Sequence, residues 1–213
     1  MIIIRRYCFV NAVFNINGKI IETKRLILRS FKQTDLSDLY EYASVDGVGE
    51  MAGWSHHENI EESQQILNMF IDEDKVFAIC FKENGKVIGS IGVEKYGLEE
   101  KLTEFDGYKG REIGYVLSKD YWGKGIATEA VKAIINYLFF ECDLDFLICG
   151  YYAFNLQSKR VQEKCGFKAY RKLILKTKMN TEESSILNLL IHPNKKIKFQ
   201  FSHPETLIFN EDE

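Results

Sequence analysis

Hydrophobic and polar positions along this chain alternate with two periods, which predicts strands and helices that follow one another. Apolar positions at helical spacing predict a helix that begins at Asp35, with Thr34 as its N-cap. A second helix is predicted to open at Asn59, because Glu62 completes a capping box with it.

Short apolar runs rich in β-branched and aromatic residues predict the strands of a sheet. Two of these runs flank the turn sequence Asn84-Gly85, which predicts a β-hairpin of residues 76–81 and 87–93. Further strands are predicted at 23–30, 111–117, 146–152, 167–175 and 185–191, and helices at 128–140 and 156–165. Mixed strands with helices between them indicate an α/β (α+β) fold.

The first residues alternate poorly, but Asn17-Gly18 is a strong signal for a type I′ turn. We therefore expect residues 1–21 to form an N-terminal hairpin extension. The length of 213 residues fits one domain of ordinary size with such an extension. We place this domain at residues 22–192 and predict no structure for the tail, residues 193–213.

The segment from Glu112 to Ala130 carries the strongest chemical signal. A short apolar strand ends there in a tight turn with Gly123 and Gly125, and an amphipathic helix follows. This order gathers unpaired backbone N–H groups and the positive end of a helix dipole around one point. Such a point suits a phosphate or pyrophosphate, and glycine lets the backbone approach it closely.

Two better-known phosphate loops do not fit this segment. A P-loop needs four residues between its glycines, and a dinucleotide fingerprint needs a third glycine where Thr128 stands. The run Tyr121–Ala130 instead resembles the acyl-CoA loop of the GNAT acetyltransferases, in the form typical of the RimJ/RimL-like branch, the ribosomal-protein N-acetyltransferases. The resemblance implies acetyl-CoA as cosubstrate.

Two further blocks extend this resemblance to residues 22–191. Asn155-Leu156-Gln157-Ser158 followed by Lys164-Cys165-Gly166-Phe167 is similar to the family's helix beneath the CoA arm. Thr23-Lys24-Arg25-Leu26-Ile27-Leu28-Arg29 is similar to its opening strand. The resemblance implies the GNAT fold, a central mixed, mostly antiparallel sheet of about seven strands flanked by about four helices.

Composition narrows the possible partners. A net charge of −3 without a basic stripe argues against a nucleic-acid partner. The 5 cysteines form no Cys-x-x-Cys pair, which indicates a reducing compartment and no bound metal. The start lacks the hydrophobic core of a signal peptide, and no run approaches a membrane span. We therefore expect a cytoplasmic protein with no membrane partner, and a homodimer is possible.

The resemblance implies which residues hold acetyl-CoA. Backbone N–H groups of the turn and of the following helix would hold the pyrophosphate, with added charge from Lys124. A backbone N–H near Val116 or Leu117 would polarise the thioester carbonyl. Asn155 would hold the pantetheine arm or a water, although it could also be simply the N-cap of its helix. The predicted cofactor-binding residues are Val116, Leu117, Trp122, Gly123, Lys124, Gly125, Ile126, Ala127, Thr128 and Asn155.

Acetyl transfer to an amine needs a base and benefits from a proton donor to the leaving thiolate. Glu112 is the predicted base, directly or through a water, and an exposed glutamate paired with Arg111 or a lysine is the alternative. Ser158 is the predicted acid, implied by the resemblance, with Asn155 beside it. Many GNAT enzymes use a tyrosine where this chain has Gln162. A hydroxyl that only bonds the helix backbone is the alternative for Ser158.

Trp54, His56 and His57 lie between the first two predicted helices, a region that borders the acceptor in the family. They are the predicted substrate-binding residues, and solvent-exposed loop histidines are the alternative. The resulting hypothesis is N-acetyl transfer to a primary amine, with a peptide or protein N-terminal α-amine as the leading acceptor. A polyamine, an aminoglycoside or another small amine stays open, as does a noncatalytic acyl-CoA sensor.

Overall fold

The computed structural model describes residues 11–96, 105 and 107–197. Within these residues one sheet of eight strands runs in the order β1-β2-β3-β4-β5-β6-β8-β7. The strands are β1 Ile21–Glu22, β2 Leu26–Ser30, β3 Val76–Phe81, β4 Val87–Glu94, β5 Gly110–Leu117, β6 Phe146–Tyr152, β7 Lys168–Lys176 and β8 Glu182–Ile191. The α-helices are α1 Leu36–Ala43, α2 Ile60–Glu73, α3 Ile126–Phe140 and α4 Leu156–Lys164.

The predicted fold class is confirmed, with eight described strands instead of about seven. Every neighbouring pair is antiparallel except β5 with β6, which is parallel. The predicted hairpin around Asn84-Gly85 forms between β3 and β4. The chain therefore builds β1 to β5 from residues 21–117, crosses through α3, and completes the sheet from residues 146–191.

Helices cover both faces of the sheet. This arrangement explains why the sequence of β3 is apolar throughout. Phe77 and Ile79 pack in one cluster with Ile134 of α3. The alternate residues Val76, Ala78 and Cys80 pack in a second cluster that contains Leu39 of α1 and Leu67 of α2. A strand buried on both faces has no polar side to show, so it reads as a continuous hydrophobic run.

The start of α1 differs from the prediction. Thr34 is exposed and is not its N-cap, because a short 3-10 turn, Gln33–Asp35, precedes the helix. The Asp35 carboxylate accepts two hydrogen bonds from the Arg29 guanidinium, at 2.7 and 2.9 Å. It also accepts the Lys32 N–H at 2.8 Å. This largely buried ion pair holds Asp35 in the 3-10 turn, so the α-helix begins only at Leu36.

The predicted start of α2 is confirmed. The Asn59 Oδ1 atom accepts the Glu62 N–H at 2.9 Å, as an N-cap should. The Glu62 carboxylate reaches back to the Glu58 N–H at 3.0 Å instead of to that of Asn59. The first apolar position, Ile60, is 41% exposed, so the buried face of the helix begins further along.

The Asn17-Gly18 turn forms with φ of 48° and 73°, and the Ile16 carbonyl accepts the Lys19 N–H at 2.9 Å. The strand after it, β1, pairs with β2 instead of with the segment before the turn. Ile16 is buried in the cluster that holds α3. Residues 1–10 of the predicted hairpin and 198–213 of the predicted tail lie outside the described residues.

No helix in the described part of the chain is both long and apolar enough to cross a bilayer.

Candidate active site

Two strands separate at the centre of the sheet and leave a cleft between them. The parallel pairing of β5 with β6 covers only Gly110–Phe146, Arg111–Leu147 and Glu112–Ile148. Beyond these pairs both strands continue without bonding to each other, β5 to Leu117 and β6 to Tyr152. The cleft that opens there has a volume of about 580 Å³ and is bounded by these two strand ends, the Gly123–Gly125 turn and α4.

The register of β4 with β5 shows which backbone groups face the cleft. The Ser118 N–H bonds to the Ile88 carbonyl at 2.8 Å, and Val116 pairs with Ser90. Because bonding directions alternate along an antiparallel strand, the Val116 N–H points to β4 and the Leu117 N–H points to the cleft. The Trp122 Nε1 donates to the Leu117 carbonyl at 2.7 Å, which belongs to the next peptide along the chain, and so holds the end of β5. Of the two predicted positions, Leu117 is therefore the one with a donor on the cleft side.

The glycine turn ends in the N-terminus of α3, at one end of the cleft. Gly123 and Gly125 both have positive φ, at +73° and +74°, a conformation that favours glycine. Gly125 is the N-cap of α3 and provides no side-chain cap. Among the described residues no side chain accepts the first N–H groups of the helix, so they are available to an anion, as an anion site requires.

Most predicted cofactor-binding residues come together at the cleft. Those that line it are Val116, Leu117, Trp122, Gly123, Gly125, Ile126, Ala127, Thr128 and Asn155. Lys124 is not one of the lining residues, and its ammonium lies 5.5 Å from the centre of the Tyr121 ring. Its contact with an anion therefore stays a prediction.

A group of hydrogen bonds that the sequence did not reveal stabilises the Gly123–Gly125 turn. The Glu129 carboxylate of α3 accepts hydrogen bonds from the Thr23 hydroxyl at 2.6 Å and from the Arg25 Nε at 2.6 Å. Arg25 also donates to the Lys124 carbonyl at 2.9 Å. Partial burial opposes ionisation of Glu129, but these hydrogen bonds outweigh it and lower the pKa of the carboxyl. The opening strand and the glycine turn thus form one unit.

Glu112 stands where β5 and β6 separate, and it lines the cleft. Burial, and then the charge of Glu94 on the paired position of β4, raise the pKa of Glu112 to about 7. Lys75 binds Glu94 at 2.8 Å, whereas no ion pair of Glu112 occurs among the described residues. Arg111 is itself buried, with a pKa lowered by burial. The alternative of an exposed, paired glutamate does not describe Glu112.

Ser158 lies in the first turn of α4 and lines the cleft. Its Oγ is 2.9 Å from the Tyr115 hydroxyl and 3.1 Å from the Gln162 Nε2, which donates to it. Tyr115 has no predicted role in the sequence, and Gln162 stands out there only because many GNAT enzymes have a tyrosine at its position. No signal in a single sequence pairs these two side chains, because β5 and α4 meet only in the fold.

Asn155 links two parts of the site. Its Oδ1 accepts the Ser158 N–H at 2.9 Å, so it is the N-cap of α4. Its Nδ2 donates to the Met51 carbonyl at 3.0 Å, in the 3-10 turn Glu50–Ala52. Asn155 therefore ties the start of α4 to the loop between α1 and α2, and its contact with a pantetheine arm stays a prediction.

Two cations of α4 line the cleft although the sequence analysis did not single them out. Arg160 and Lys164 are spaced by four residues, so they share one face of the helix. This spacing was visible in the sequence. They add positive charge to the same cleft that holds the N-terminus of α3.

Trp54, His56 and His57 do not line the cleft. His57 is buried, its Nδ1 lies 2.6 Å from the Ser63 hydroxyl, and its ring packs on Trp54 with centroids 5.2 Å apart. Burial lowers the pKa of His57. The structure therefore places Trp54 and His57 in the packing of the α1–α2 loop. Their predicted contact with an acceptor stays a prediction.

His56 belongs to a polar cluster with Asp46 and Glu50, whose possible ligand atoms lie within 4.8 Å of one another. The Glu50 carboxylate already accepts the Gly47 N–H at 2.7 Å, the His56 N–H at 2.9 Å and a bond with the His56 ring at 2.9 Å. These bonds outweigh the opposing effect of partial burial and lower the pKa of Glu50 to about 2. The cluster is a hydrogen-bonded turn.

Apolar side chains line the cleft, whereas the predicted acceptor residues Trp54, His56 and His57 do not. They come from the α1–α2 loop and from the sheet: Val48, Met51, Ala52, Tyr152 and Leu175. The Lys178 N–H donates to the Gly53 carbonyl at 2.9 Å, so the turn between β7 and β8 touches the α1–α2 loop. Among the described lining residues Glu112 is the only carboxylate.

Comparison with known proteins gives the family. The sequence model of the acetyltransferase (GNAT) domain matches residues 25–168. YnaD, an uncharacterized N-acetyltransferase of Bacillus subtilis, is 30% identical over 148 residues, which cover 70% of this chain and 82% of the relative. A GNAT-family acetyltransferase from Bacillus anthracis superposes with a TM-score of 0.70 at 26% identity, covering 82% of this chain and 99% of that one.

A ribosomal-protein-S5-alanine acetyltransferase from Vibrio fischeri shares the fold with a TM-score of 0.65 at 22% identity, over 84% of this chain and 99% of that one. A solved protein of the branch that the Tyr121–Ala130 pattern indicates therefore has this architecture. The chain belongs to the GNAT acetyltransferase family, and it is an acetyl-CoA-dependent N-acetyltransferase.

Proposed function

We propose that this GNAT acetyltransferase transfers acetyl to the N-terminal α-amine of a peptide or protein. The observation that carries the proposal is the composition of the cleft, where Glu112 is the only carboxylate among the described lining residues. A polyamine carries further cationic amines besides the one that reacts. Each of these additional cations needs a carboxylate partner when it is buried. A peptide N-terminus brings one amine, followed by neutral backbone, and suits a cleft with apolar walls.

The cosubstrate would lie along α3 and α4. Its pyrophosphate fits the free N–H groups at the start of α3, because anions are favoured at that end of a helix. Arg160 and Lys164 line the same cleft and would offer charge to the remaining phosphate of CoA. The acyl end would then lie between the separated strands, with the Leu117 N–H near the thioester oxygen.

Glu112 is the proposed base. An α-amine has a pKa of roughly 8, so most of it is protonated at neutral pH and must lose a proton before it attacks. A carboxylate whose pKa is raised to about 7 is matched to that proton better than an ordinary glutamate. The amine then attacks the acetyl carbon directly, the Leu117 N–H stabilises the oxyanion, and Ser158 donates to the departing sulfur.

A panel of acceptors tests the proposal. The purified chain is assayed for CoA release with a peptide bearing a free N-terminus and one lysine, and with the same peptide Nα-blocked as the matched control. We expect turnover with the first peptide only, and a mass spectrum that places the acetyl group on the α-amine. Turnover confined to spermidine or an aminoglycoside would overturn the peptide assignment.

A small amine is the second candidate, favoured by one contact. The bond between Lys178 and Gly53 joins the turn after β7 to the α1–α2 loop, which limits the length of an acceptor that can lie across the cleft. The panel therefore includes single amino-acid amides. Turnover of amides that exceeds that of peptides would favour this candidate.

A further inference from the structure

We propose that Gln162 and Tyr115 are positioning residues that aim the Ser158 hydroxyl hydrogen into the cleft, toward the sulfur of CoA. The proposal rests on the proposed function of Ser158 as donor to that sulfur. It concerns two side chains on different elements, β5 and α4, that meet at one oxygen atom.

The amide of Gln162 has one possible orientation. Its Nε2 donates to the Gly150 carbonyl at 3.0 Å, and a carbonyl oxygen can only accept. The second hydrogen of the same Nε2 goes to the Ser158 Oγ at 3.1 Å. The Oε1 accepts the Asn188 Nδ2 at 2.8 Å, and the whole residue is 0% exposed. Gln162 therefore acts on Ser158 only as a donor.

Tyr115 approaches the same oxygen from β5. Its hydroxyl is 2.9 Å from the Ser158 Oγ and 3.2 Å from the Ser158 carbonyl. Burial raises the pKa of Tyr115, so its phenol stays protonated over the working range and keeps a hydrogen to donate. The phenol has one hydrogen for these two contacts, and the geometry allows either hydroxyl to be the donor in the 2.9 Å contact. As part of the proposal we assign the Tyr115 hydrogen to the Oγ, the nearer acceptor, and the Tyr115→Phe variant below tests that assignment.

These two donors fill the acceptor capacity of one hydroxyl. A serine oxygen accepts two hydrogen bonds and carries one hydrogen of its own. With Gln162 and Tyr115 donating, the Ser158 hydrogen has no acceptor left among them and is directed into the cleft that Ser158 lines. A serine is a weak acid, so its effect depends on being oriented before the reaction begins.

Ser158 keeps its proton throughout the proposed reaction and acts only as a hydrogen-bond donor. Glu112 first takes one proton from the protonated amine and releases it to water. The lone pair of the neutral amine then forms the N–C bond, and Glu112 takes the second amine proton. The C–S bond breaks with its electron pair on sulfur, and the Ser158 O–H donates a hydrogen bond to that thiolate. Glu112 returns its proton to water, and the thiolate of CoA takes one from water as it leaves.

A double-mutant cycle on the full chain tests the proposal. Steady-state kcat and the KM for acetyl-CoA are measured for Tyr115→Phe, Gln162→Met and Ser158→Ala, and for each of the first two combined with Ser158→Ala. Tyr137→Phe is the matched control, because it removes a phenol hydroxyl on α3 that does not line the cleft. A thermal melt of each variant reports folding.

We expect Tyr115→Phe and Gln162→Met to lower kcat about fivefold, the worth of one neutral hydrogen bond, with the KM for acetyl-CoA unchanged. In the Ser158→Ala background the same changes should leave kcat unaltered, because their effect passes through the missing hydroxyl. Gln162→Met also loses two structural bonds, so Tyr115→Phe decides the matter if that variant does not fold.

Two results would overturn the proposal. One is an undiminished effect of Tyr115→Phe in the Ser158→Ala background, which would mean a purely structural role. The other is a kcat for Tyr115→Phe equal to or above wild type, which would mean that Ser158 donates to Tyr115. The proposed function fails differently: the wild type then shows no turnover with the amine panel, or Ser158→Ala matches it.

Discussion

Replacing Glu112 with glutamine tests the proposed base without any substrate. Burial and the charge of Glu94 raise the pKa of Glu112 from 4.5 to about 7. The folded protein therefore holds a proton that the unfolded chain releases, and its stability falls as the pH rises from about 4.5 to 7. Below that range the carboxyl is neutral in both states and costs nothing.

The size of the effect follows from the same numbers. The interval from 4.5 to about 7 corresponds to about 3 kcal/mol at most, and to about 2 kcal/mol after allowance for partial solvent exposure. Glu112→Gln keeps the shape of the neutral carboxyl and cannot ionise. We expect the variant to match the wild type below pH 4 and to be more stable by about 2 kcal/mol at pH 8.

Urea denaturation at half-unit steps between pH 3.5 and 8.5 measures this difference. Glu182→Gln, an exposed position on β8, is the control for the substitution itself. A stability difference that stays constant with pH would refute the reasoning. In the acetylation assay, the same variant should lose about a hundredfold in kcat/KM, together with the rise of the rate near pH 7.

Three further changes test other parts of the site. Gly125→Val should abolish acetyl-CoA binding in a calorimetric titration, because a branched side chain is strained at φ of +74° and stands in the anion site; binding equal to wild type would contradict this. Glu129→Gln should weaken acetyl-CoA binding about tenfold by releasing Arg25 from the turn, whereas Glu61→Gln, in the first turn of α2, should leave it unchanged. Asn59→Ala should cost about 1 kcal/mol in urea denaturation without lowering kcat, and a cost near zero would mean that Asn59 does not cap α2.

Local signals in the sequence predicted most of the fold. The hairpin of β3 and β4 followed from Asn84-Gly85 between two apolar runs, and the start of α2 from Asn59. The end of α4 followed from Gly166, which has a φ of +91°. In each case the residues that determine the structure are neighbours along the chain, so one sequence contains the information.

The predictions that differed from the structure depend on contacts between distant elements. Thr34 looked like an N-cap, but Arg29 holds Asp35 in a turn before the helix. The surroundings of His57 likewise depend on such a contact, because its ring bonds Ser63 in the first turn of α2, and its predicted role at an acceptor stays a prediction. A loop residue's side chain takes its direction from the tertiary packing, which periodicity does not encode.

The chemical site shows the same division. The glycine turn and its helix were predicted because strand, turn and helix are consecutive. Glu112 was predicted from its place on β5, while the cause of its raised pKa, Glu94, lies on another strand. The contact of Tyr115 with Ser158 spans 43 residues and appears only when α4 packs beside β5.

The short pairing of β5 with β6 also divides the sheet into two parts that few backbone hydrogen bonds connect. One consists of β1 to β5 and the other of β6, β8 and β7, and three residue pairs join them. Each comes from one continuous stretch of chain. A cosubstrate bound between β5 and β6 would contact both halves of the sheet and stabilise their association. The empty protein should then unfold in two steps, and saturation with acetyl-CoA should merge them into one transition.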